Sequence, residues 1–234
     1  KLIIPFLIPF LFAMSLGPKL KWIKSNIDNK LFLLLFLVIS FLLSLLIIKH
    51  LNVNFLINTL LITSAFFLFF TTFRDFFIKQ HKNFSQNLAH FGFSLLILSI
   101  LLNNMFSNET ITNLKIGETF ENNKLKINFE SIDQKNDKNF KAIVGKFRIE
   151  NLDGNSEIFK PELRIYNQPN IVTSEADIKT TLLSDKFITM NSVQNQEYFN
   201  IRYQTKPFMI WIWFSVLVIS LGGLLSLTQK KNEK

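Results

Sequence analysis

Five long apolar segments constrain this chain more than any other feature of its sequence. A run of about 20 apolar residues is long enough to cross the hydrocarbon core of a bilayer as a helix. Pro5 and Pro9 interrupt the first segment, which barely reaches that length. We therefore predict a multi-pass α-helical membrane protein. The predicted transmembrane helices cover residues 2–16, 31–48, 53–73, 86–105 and 208–227.

A polar stretch of about 100 residues separates the fourth apolar segment from the last. It shows short runs with alternating apolar and polar residues, a pattern typical of β-strands. We predict a β-rich domain over residues 106–207, inserted before the last transmembrane helix, and a tail over residues 228–234. The predicted strands are Phe140–Leu152, its hairpin partner Glu157–Tyr166, Leu125–Ile132 and Tyr198–Tyr203, with a polar loop at Asp133–Asn139.

The charges of the chain predict its orientation. Residues 104–207 hold 14 basic and 14 acidic side chains, so the net charge of +9 belongs entirely to the rest of the chain. The basic excess lies in residues 17–30, residues 74–87 and the C-terminal tail, which fall on one side if the segments alternate. Basic loops stay in the cytoplasm. This predicts a bacterial inner-membrane protein in contact with membrane lipids, with residues 106–207 in the periplasm.

Composition also excludes several functions. The chain has no cysteine, so disulfides, thiolate metal sites and thiol catalysis are impossible. The sequence contains no nucleotide-binding loop, zinc motif or catalytic triad, and we assign no catalytic residue. Topology explains the basic balance, so we predict no nucleic-acid partner.

His90 is the main candidate for a functional residue. It lies within an otherwise apolar stretch from Leu88 to Leu102, and ionisable side chains inside a membrane are costly. Imidazole is a common ligand of haem iron. Ala89 and Gly92 beside it would let a flat macrocycle approach closely. The same small residues also serve plain helix packing, and the histidine itself can hydrogen-bond a neighbouring helix.

The other two histidines are poorer candidates. His50 is predicted at the opposite membrane face, and His81 lies in a basic cytoplasmic loop. Neither is well placed to be the second axial ligand of a haem held by His90. Trp211 and Trp213 are predicted to anchor the last helix at the outer interface.

Several short motifs, in order, resemble the CcmF family of cytochrome c-type biogenesis proteins, in its C-terminal part. The residues from Pro9 to Trp22 resemble a Pro…Met-Gly-x-Gly-Pro…Trp stretch, and Leu88–Gly92 resembles Leu-Ala-His-x-Gly. The polar domain resembles Glu-Lys-Arg-x-Tyr…Thr-Glu-Ala, with Leu163 and Ser174 departing from it. The motifs of this domain and of the last segment are Pro161–Tyr166, Ser174–Ala176, Ile201–Tyr203, Lys206–Pro207, Trp211–Trp213 and Gly222–Gly223.

The resemblance implies a haem-lyase subunit that handles haem for covalent attachment to apocytochrome c. It implies haem b as cofactor, with His90 as one axial ligand of the haem iron. It also implies as partners the haem chaperone CcmE and CcmH- and CcmI-type subunits. The family's tryptophan-rich segment and its other haem-ligating histidines have no counterpart in these residues, so we expect the chain alone to be inactive.

Three alternatives stay open. A related haem lyase dedicated to nitrite reductase would share the same motifs. A membrane transporter would require broken helices with paired polar residues at mid-membrane, and a non-catalytic scaffold would use the polar domain only for binding. The sequence is compatible both with a fragment of a longer protein and with a natural split protein.

Overall fold

The computed structural model describes residues 4–19, 30–51, 55–78, 84–151, 154–193 and 197–229. The chain divides into two compact units. The first is helical and comprises residues 1–105 and 208–234. The second is a β-sandwich over residues 106–207. The predicted fold class, a multi-pass helical protein with a β-rich insertion before its last helix, is confirmed.

Five α-helices form the helical unit. Four of them are long and apolar enough to span a membrane, whereas the first is shorter. The chain follows α1 with a short 3-10 turn, Gly17–Lys19. The helices are α1 (Ile4–Leu16), α2 (Lys30–Leu51), α3 (Phe55–Ile78), α4 (Phe84–Phe106) and α5 (Met209–Gln229).

Buried hydroxyl groups pair with one another between the helices of this unit. The Ser44 and Thr63 hydroxyls share a hydrogen bond of 2.8 Å between α2 and α3. The Thr72 and Ser94 hydroxyls share one of 2.7 Å between α3 and α4. A hydroxyl in hydrocarbon must find a partner, so these pairs fix the contacts between successive helices. Leu11, at the centre of α1, is fully buried in the apolar core that α1, α3 and α4 share.

The helix α3 continues past the predicted end at Phe73 to Ile78. Arg74 and Asp75 interrupt the apolar run, yet both have partners within the fold. The Arg74 guanidinium lies 5.0 Å from the centre of the Phe32 ring. The Asp75 carboxylate receives the Lys19 ammonium group at 2.9 Å. Because these contacts compensate the charges, the helix does not have to end there.

Ten strands form the two sheets of the sandwich. The order in the first sheet, which we call sheet A, is β1-β10-β9-β8. The order in sheet B is β2-β3-β4-β6-β7, and β5 also pairs with β4. The strands are β1 (Asn108–Leu114), β2 (Thr119–Glu121), β3 (Leu125–Asn136), β4 (Phe140–Asn151), β5 (Ser156–Phe159), β6 (Glu162–Tyr166), β7 (Val172–Glu175), β8 (Asp177–Thr180), β9 (Ser184–Ser192) and β10 (Phe199–Pro207).

The core of the sandwich lies between the inner faces of the two sheets. The Phe129 and Phe147 rings from neighbouring strands of sheet B stack with centroids 4.3 Å apart. Ile188, Met190 and Ile201 of sheet A are fully buried in the same cluster. Side chains alternate across a strand, so each sheet keeps a polar outer face. The domain is held together by this packing, without cysteine.

Two strand predictions are wrong in detail. The predicted hairpin partner Glu157–Tyr166 is split into β5 and β6, because Pro161 cannot donate to the ladder; its carbonyl instead accepts from the Gly145 backbone N–H at 3.0 Å. The predicted loop Asp133–Asn139 is β-strand as far as Asn136. Its polar side chains are exposed, but its backbone pairs with the start of β4.

Candidate functional site

The candidate site is built around His90, in the second turn of α4. The side chain is half-buried, and its Nδ1 atom is buried without a hydrogen-bond partner among the described residues. A buried polar group without a partner costs about 1–3 kcal/mol. The imidazole therefore has unused capacity to donate or accept, or to coordinate a metal.

The small residues beside His90 make a close contact between α4 and α5. A Cβ atom placed on Gly92 would lie 2.9 Å from the backbone nitrogen of Ile219. A Cβ atom placed on Gly222 would lie 2.7 Å from the backbone nitrogen of Ala89. The two helices thus pack backbone against backbone on either side of the His90 position along α4. In this structure Ala89 and Gly92 are used for helix packing.

The next residue, Phe91, holds α4 against α3. Its ring stacks on Phe76 with centroids 5.5 Å apart and also contacts Phe69 and Phe73 at 5.9 Å. A helix places successive side chains about 100° apart. Phe91 is thereby directed to α3 and the small residues to α5, which leaves His90 on a third face.

Phe93 and Ile97 share the third face with His90, where a porphyrin bound to the imidazole could contact them. Both pack instead against the apolar core around Leu11 of α1. Within the described residues, the part of this face between His90 and the C-terminal end of α4 is therefore covered by protein. A planar group at His90 would have to lie toward the start of α4.

An ion pair lies at the same end of the helical unit. The Lys19 Nζ atom is 2.9 Å from the Asp75 carboxylate and donates to the Ser15 carbonyl at 3.1 Å. The Asn87 amide donates to the Asp75 carbonyl at 3.4 Å, one helical turn before His90. Only 9% of the Lys19 side chain and 13% of the Asp75 side chain are exposed. This pair links α1, α3 and the start of α4.

Lys19 belongs to the stretch predicted as a basic loop, residues 17–30. Asp75 was not among the predicted site residues. A signal was present, because Asp75 is a carboxylate within a stretch of phenylalanines. A charge in such a stretch predicts an oppositely charged partner.

The remaining histidines are not brought to the site. His50 is exposed in the last turn of α2, and His81 lies outside the described residues. In the part of the chain that the structure describes, no cluster of three or more His, Asp or Glu side chains could hold a metal ion. Among the described histidines, only His90 lies inside the helical unit with a buried ring nitrogen.

The outer face of sheet B brings together the acidic and basic residues of the polar-domain motifs. Glu162 and Glu175 are directly opposite each other on β6 and β7. The Arg164 Nε atom donates to the Glu162 carboxylate at 2.8 Å, and this hydrogen bond raises the pKa of the guanidinium. The Arg164 guanidinium also lies over the Phe140 ring at 4.8 Å. Arg164 thus pairs with the Glu162 carboxylate, interacts electrostatically with the Glu175 carboxylate and lies over the half-buried Phe140 ring.

A second ionic cluster lies on the same sheet. Glu130 of β3 accepts from Arg148 at 2.6 Å and lies 2.8 Å from Lys146, both on β4. Hydrogen bonds from Lys146 and Arg148, with Lys146 having the larger effect, lower the pKa of the Glu130 carboxyl group. These residues are accessible, and their pairing stabilises one outer-face conformation rather than creating a catalytic acid or base.

Comparison with known proteins adds an independent result. Residues 105–207 match a family described as the CcmF C-terminal beta-sandwich. The whole chain is similar to the cytochrome c-type biogenesis protein CcmF of Haemophilus influenzae, with 25% identity over 95% of this chain and 37% of that protein. CcmF of Escherichia coli is 26% identical over 62% of this chain and 23% of its own length.

The fold of the chain is also similar to a solved structure. The chain superposes on the structure titled Cytochrome c Heme Lyase CcmF with a TM-score of 0.70 and 19% identity. The match covers 95% of this chain and 39% of that one. The chain thus spans roughly a quarter to two fifths of the length of these relatives.

Proposed function

We propose that this chain, which is similar to the C-terminal part of CcmF proteins, works within a haem lyase that matures cytochrome c. His90 would be one axial ligand of a haem b within the membrane. The observation that carries the proposal is the imidazole itself. His90 lies in the Leu88–Gly92 motif, within a membrane helix, and has a buried nitrogen without a partner.

The residues around His90 fit a haem ligand. A neutral imidazole can coordinate iron through one nitrogen while the other donates a hydrogen bond. Coordination would offset the cost of placing a polar ring in hydrocarbon. The tight contact of Ala89 and Gly92 with α5 would fix where the imidazole stands, as a ligand requires. A bound haem b supplies one-electron chemistry, and we expect its second axial ligand from outside this chain.

An optical spectrum tests the proposal. In the complete lyase, whether this chain is part of a longer polypeptide or a separate subunit of it, we expect His90→Ala to lose most of the reduced haem b absorbance and most cytochrome c maturation. Added imidazole should restore part of both, because the space left by the side chain can admit it. His50→Ala is the matched control, since His50 is exposed at the end of α2. A normal haem b spectrum in His90→Ala would contradict the assignment and leave helix packing as the role of this motif.

We also propose that the sandwich recognises protein partners and carries no catalytic group. The Glu162–Arg164–Glu175 arrangement with Phe140 supports this, because it combines paired charges with an accessible aromatic ring. The partners expected are a haem-loaded chaperone of the CcmE type, CcmH- and CcmI-type subunits and the apocytochrome. Alanine at Glu162, Arg164 and Glu175 should weaken co-purification of a partner. Loss of maturation with all partners still bound would show that the partner-binding role is wrong.

The orientation follows from the basic loops and is part of the same proposal. We expect the sandwich to lie in the periplasm and residues 17–30 in the cytoplasm. A cysteine introduced at exposed Asn155 should react with an impermeant maleimide in intact spheroplasts, and one at exposed Lys30 only after lysis. The opposite labelling pattern would reverse the orientation and remove the partners named above.

A further inference from the structure

The hairpin turn between β8 and β9 carries two adjacent leucines at its tip. Leu182 and Leu183 expose 71% and 69% of their surface, the highest values among large apolar residues of the described sandwich. A single exposed leucine needs no explanation. Two exposed leucines at the centre of a tight turn do need an explanation, because glycine, asparagine, aspartate and serine dominate such positions.

The turn is closed by its own hydrogen bonds. The Thr181 backbone N–H donates to the Ser184 carbonyl at 3.0 Å, and the Thr181 hydroxyl donates to the same carbonyl at 2.8 Å. The Ser184 backbone N–H donates to the Thr181 hydroxyl at 3.1 Å. The polar groups at the base of the turn are thereby satisfied within it. Such a turn can enter an apolar environment at a lower desolvation cost than an open loop.

The turn lies at the end of sheet A where both chain connections leave the sandwich. Asn108, at the start of β1, follows α4 by two residues and pairs with Thr205. Pro207, at the end of β10, precedes α5 by two residues and pairs with Ser184 at the base of the turn. Only Ser107 joins α4 to β1, and only Phe208 joins β10 to α5, so the covalent connections at this end of the sheet are short.

The sequence limits how far the turn can lie from the membrane surface. Pro207 precedes Trp211 by four residues, so at most about 14 Å of backbone separates them. Tryptophan in the first turn of a membrane helix marks the interface between headgroups and hydrocarbon. The leucines lie beyond Ser184, on the far side of the strand end from the sandwich core.

From these observations we propose that Leu182 and Leu183 insert into the interface of the lipid bilayer from which the sandwich emerges. The occupant of this surface is lipid, at the level where headgroups meet acyl chains. The contact would fix the tilt of sheet A relative to the membrane, so the outer faces would be presented to partners in one orientation. It does not depend on haem binding by His90.

The absence of cysteine makes the test direct. A single cysteine at Leu182 or Leu183, in the complete chain reconstituted in vesicles, would carry the only polarity-sensitive fluorophore. Both side chains are exposed, so neither substitution removes a core contact. Ile116 is the matched control. It exposes 55% of its surface, and it follows the far end of β1, about 20 Å along the strand from Asn108.

We expect blue-shifted emission at positions 182 and 183, with strong loss of emission when the vesicles contain lipids brominated on their acyl chains. The label at position 116 should respond only to an aqueous quencher. Aqueous quenching at 182 and 183 equal to that at 116 would overturn the proposal. Shielding of the leucine positions from both quenchers would also overturn it, because a protein partner or a second copy of the chain would then cover the turn.

Discussion

Gly222 and Gly223 are adjacent on α5 but face different surroundings, so they form a natural pair for a packing test. A Cβ atom at Gly222 would lie 2.7 Å from the Ala89 nitrogen and 3.0 Å from its Cα atom, and both are backbone atoms. Ordinary contacts begin at 3.4 Å. Since backbone cannot rotate away, Gly222→Ala has to push α5 from α4 by several tenths of an ångström. The same atom at Gly223 meets nothing within 4 Å.

The expected magnitudes follow from this geometry. Overpacking of a well-packed site costs about 1–3 kcal/mol, whereas alanine in place of glycine in a helix gains up to about 1 kcal/mol. The cost of overpacking applies only at Gly222, because a Cβ atom at Gly223 meets no other atom. We therefore expect Gly222→Ala to lower the stability of the helical unit by about 1–2 kcal/mol, and Gly223→Ala to leave it unchanged or slightly raised.

Unfolding of the purified chain by denaturing detergent in bilayer discs measures this difference. If His90 holds a haem as proposed, Gly222→Ala should also weaken haem retention by the complete lyase, because Ala89 adjoins His90. Equal stability of the two variants would refute the conclusion that α4 and α5 are in backbone contact. Lower stability with unchanged haem retention would instead separate helix packing from the positioning of His90.

Three further outcomes are expected. Lys19→Met should cost about 3–5 kcal/mol by removing the Lys19 ammonium group from the buried Asp75 carboxylate, and adding Asp75→Leu should recover most of it, as detergent unfolding would measure. Wild type should be more stable than Glu130→Gln above pH 4.5, and the difference should shrink as the pH falls from 4.5 through the lowered pKa of this carboxyl, because its basic neighbours stabilise only its ionised form. Phe147→Ala should cost the sandwich about 3–5 kcal/mol and exposed Ile111→Ala well under 1, by hydrogen exchange.

The helical unit was predictable because apolar length is a strong signal. What the sequence did not indicate was where charged residues could be accommodated within a helix. Phe73 was taken as the end of α3 because Arg74 and Asp75 follow it. In the structure Asp75 is paired with Lys19, about 56 residues earlier in the chain. Contacts between residues so far apart in sequence leave no local pattern.

The sandwich was predictable only where burial imposed alternation. β4 has apolar side chains at Ile143, Phe147 and Ile149 on its inner face, and its pattern was visible. β1 buries only Leu114, and its other residues are polar apart from the exposed Ile111, so its sequence is like that of a loop. Its position is set by backbone pairing with β10, and backbone hydrogen bonds have no signature in residue type.

At the candidate site, the sequence predicted the functional residue but not the side chains that pack around it. His90 was identified from its type and setting. Phe93 and Ile97 are covered because α1 packs against them, and the sequence of α4 alone does not predict that contact.

The pairing of the first and last strands of the sandwich has a consequence for how such a protein can evolve. β1 and β10 are neighbours, so the polypeptide enters and leaves the domain one strand spacing apart, about 5 Å. The domain is therefore an insertion whose two ends almost meet. Loops and strands distant from those ends can lengthen, shorten or change sequence without pulling on the helices that flank them. The sequence of the sandwich can therefore vary while the spacing of α4 and α5 beside His90 stays the same.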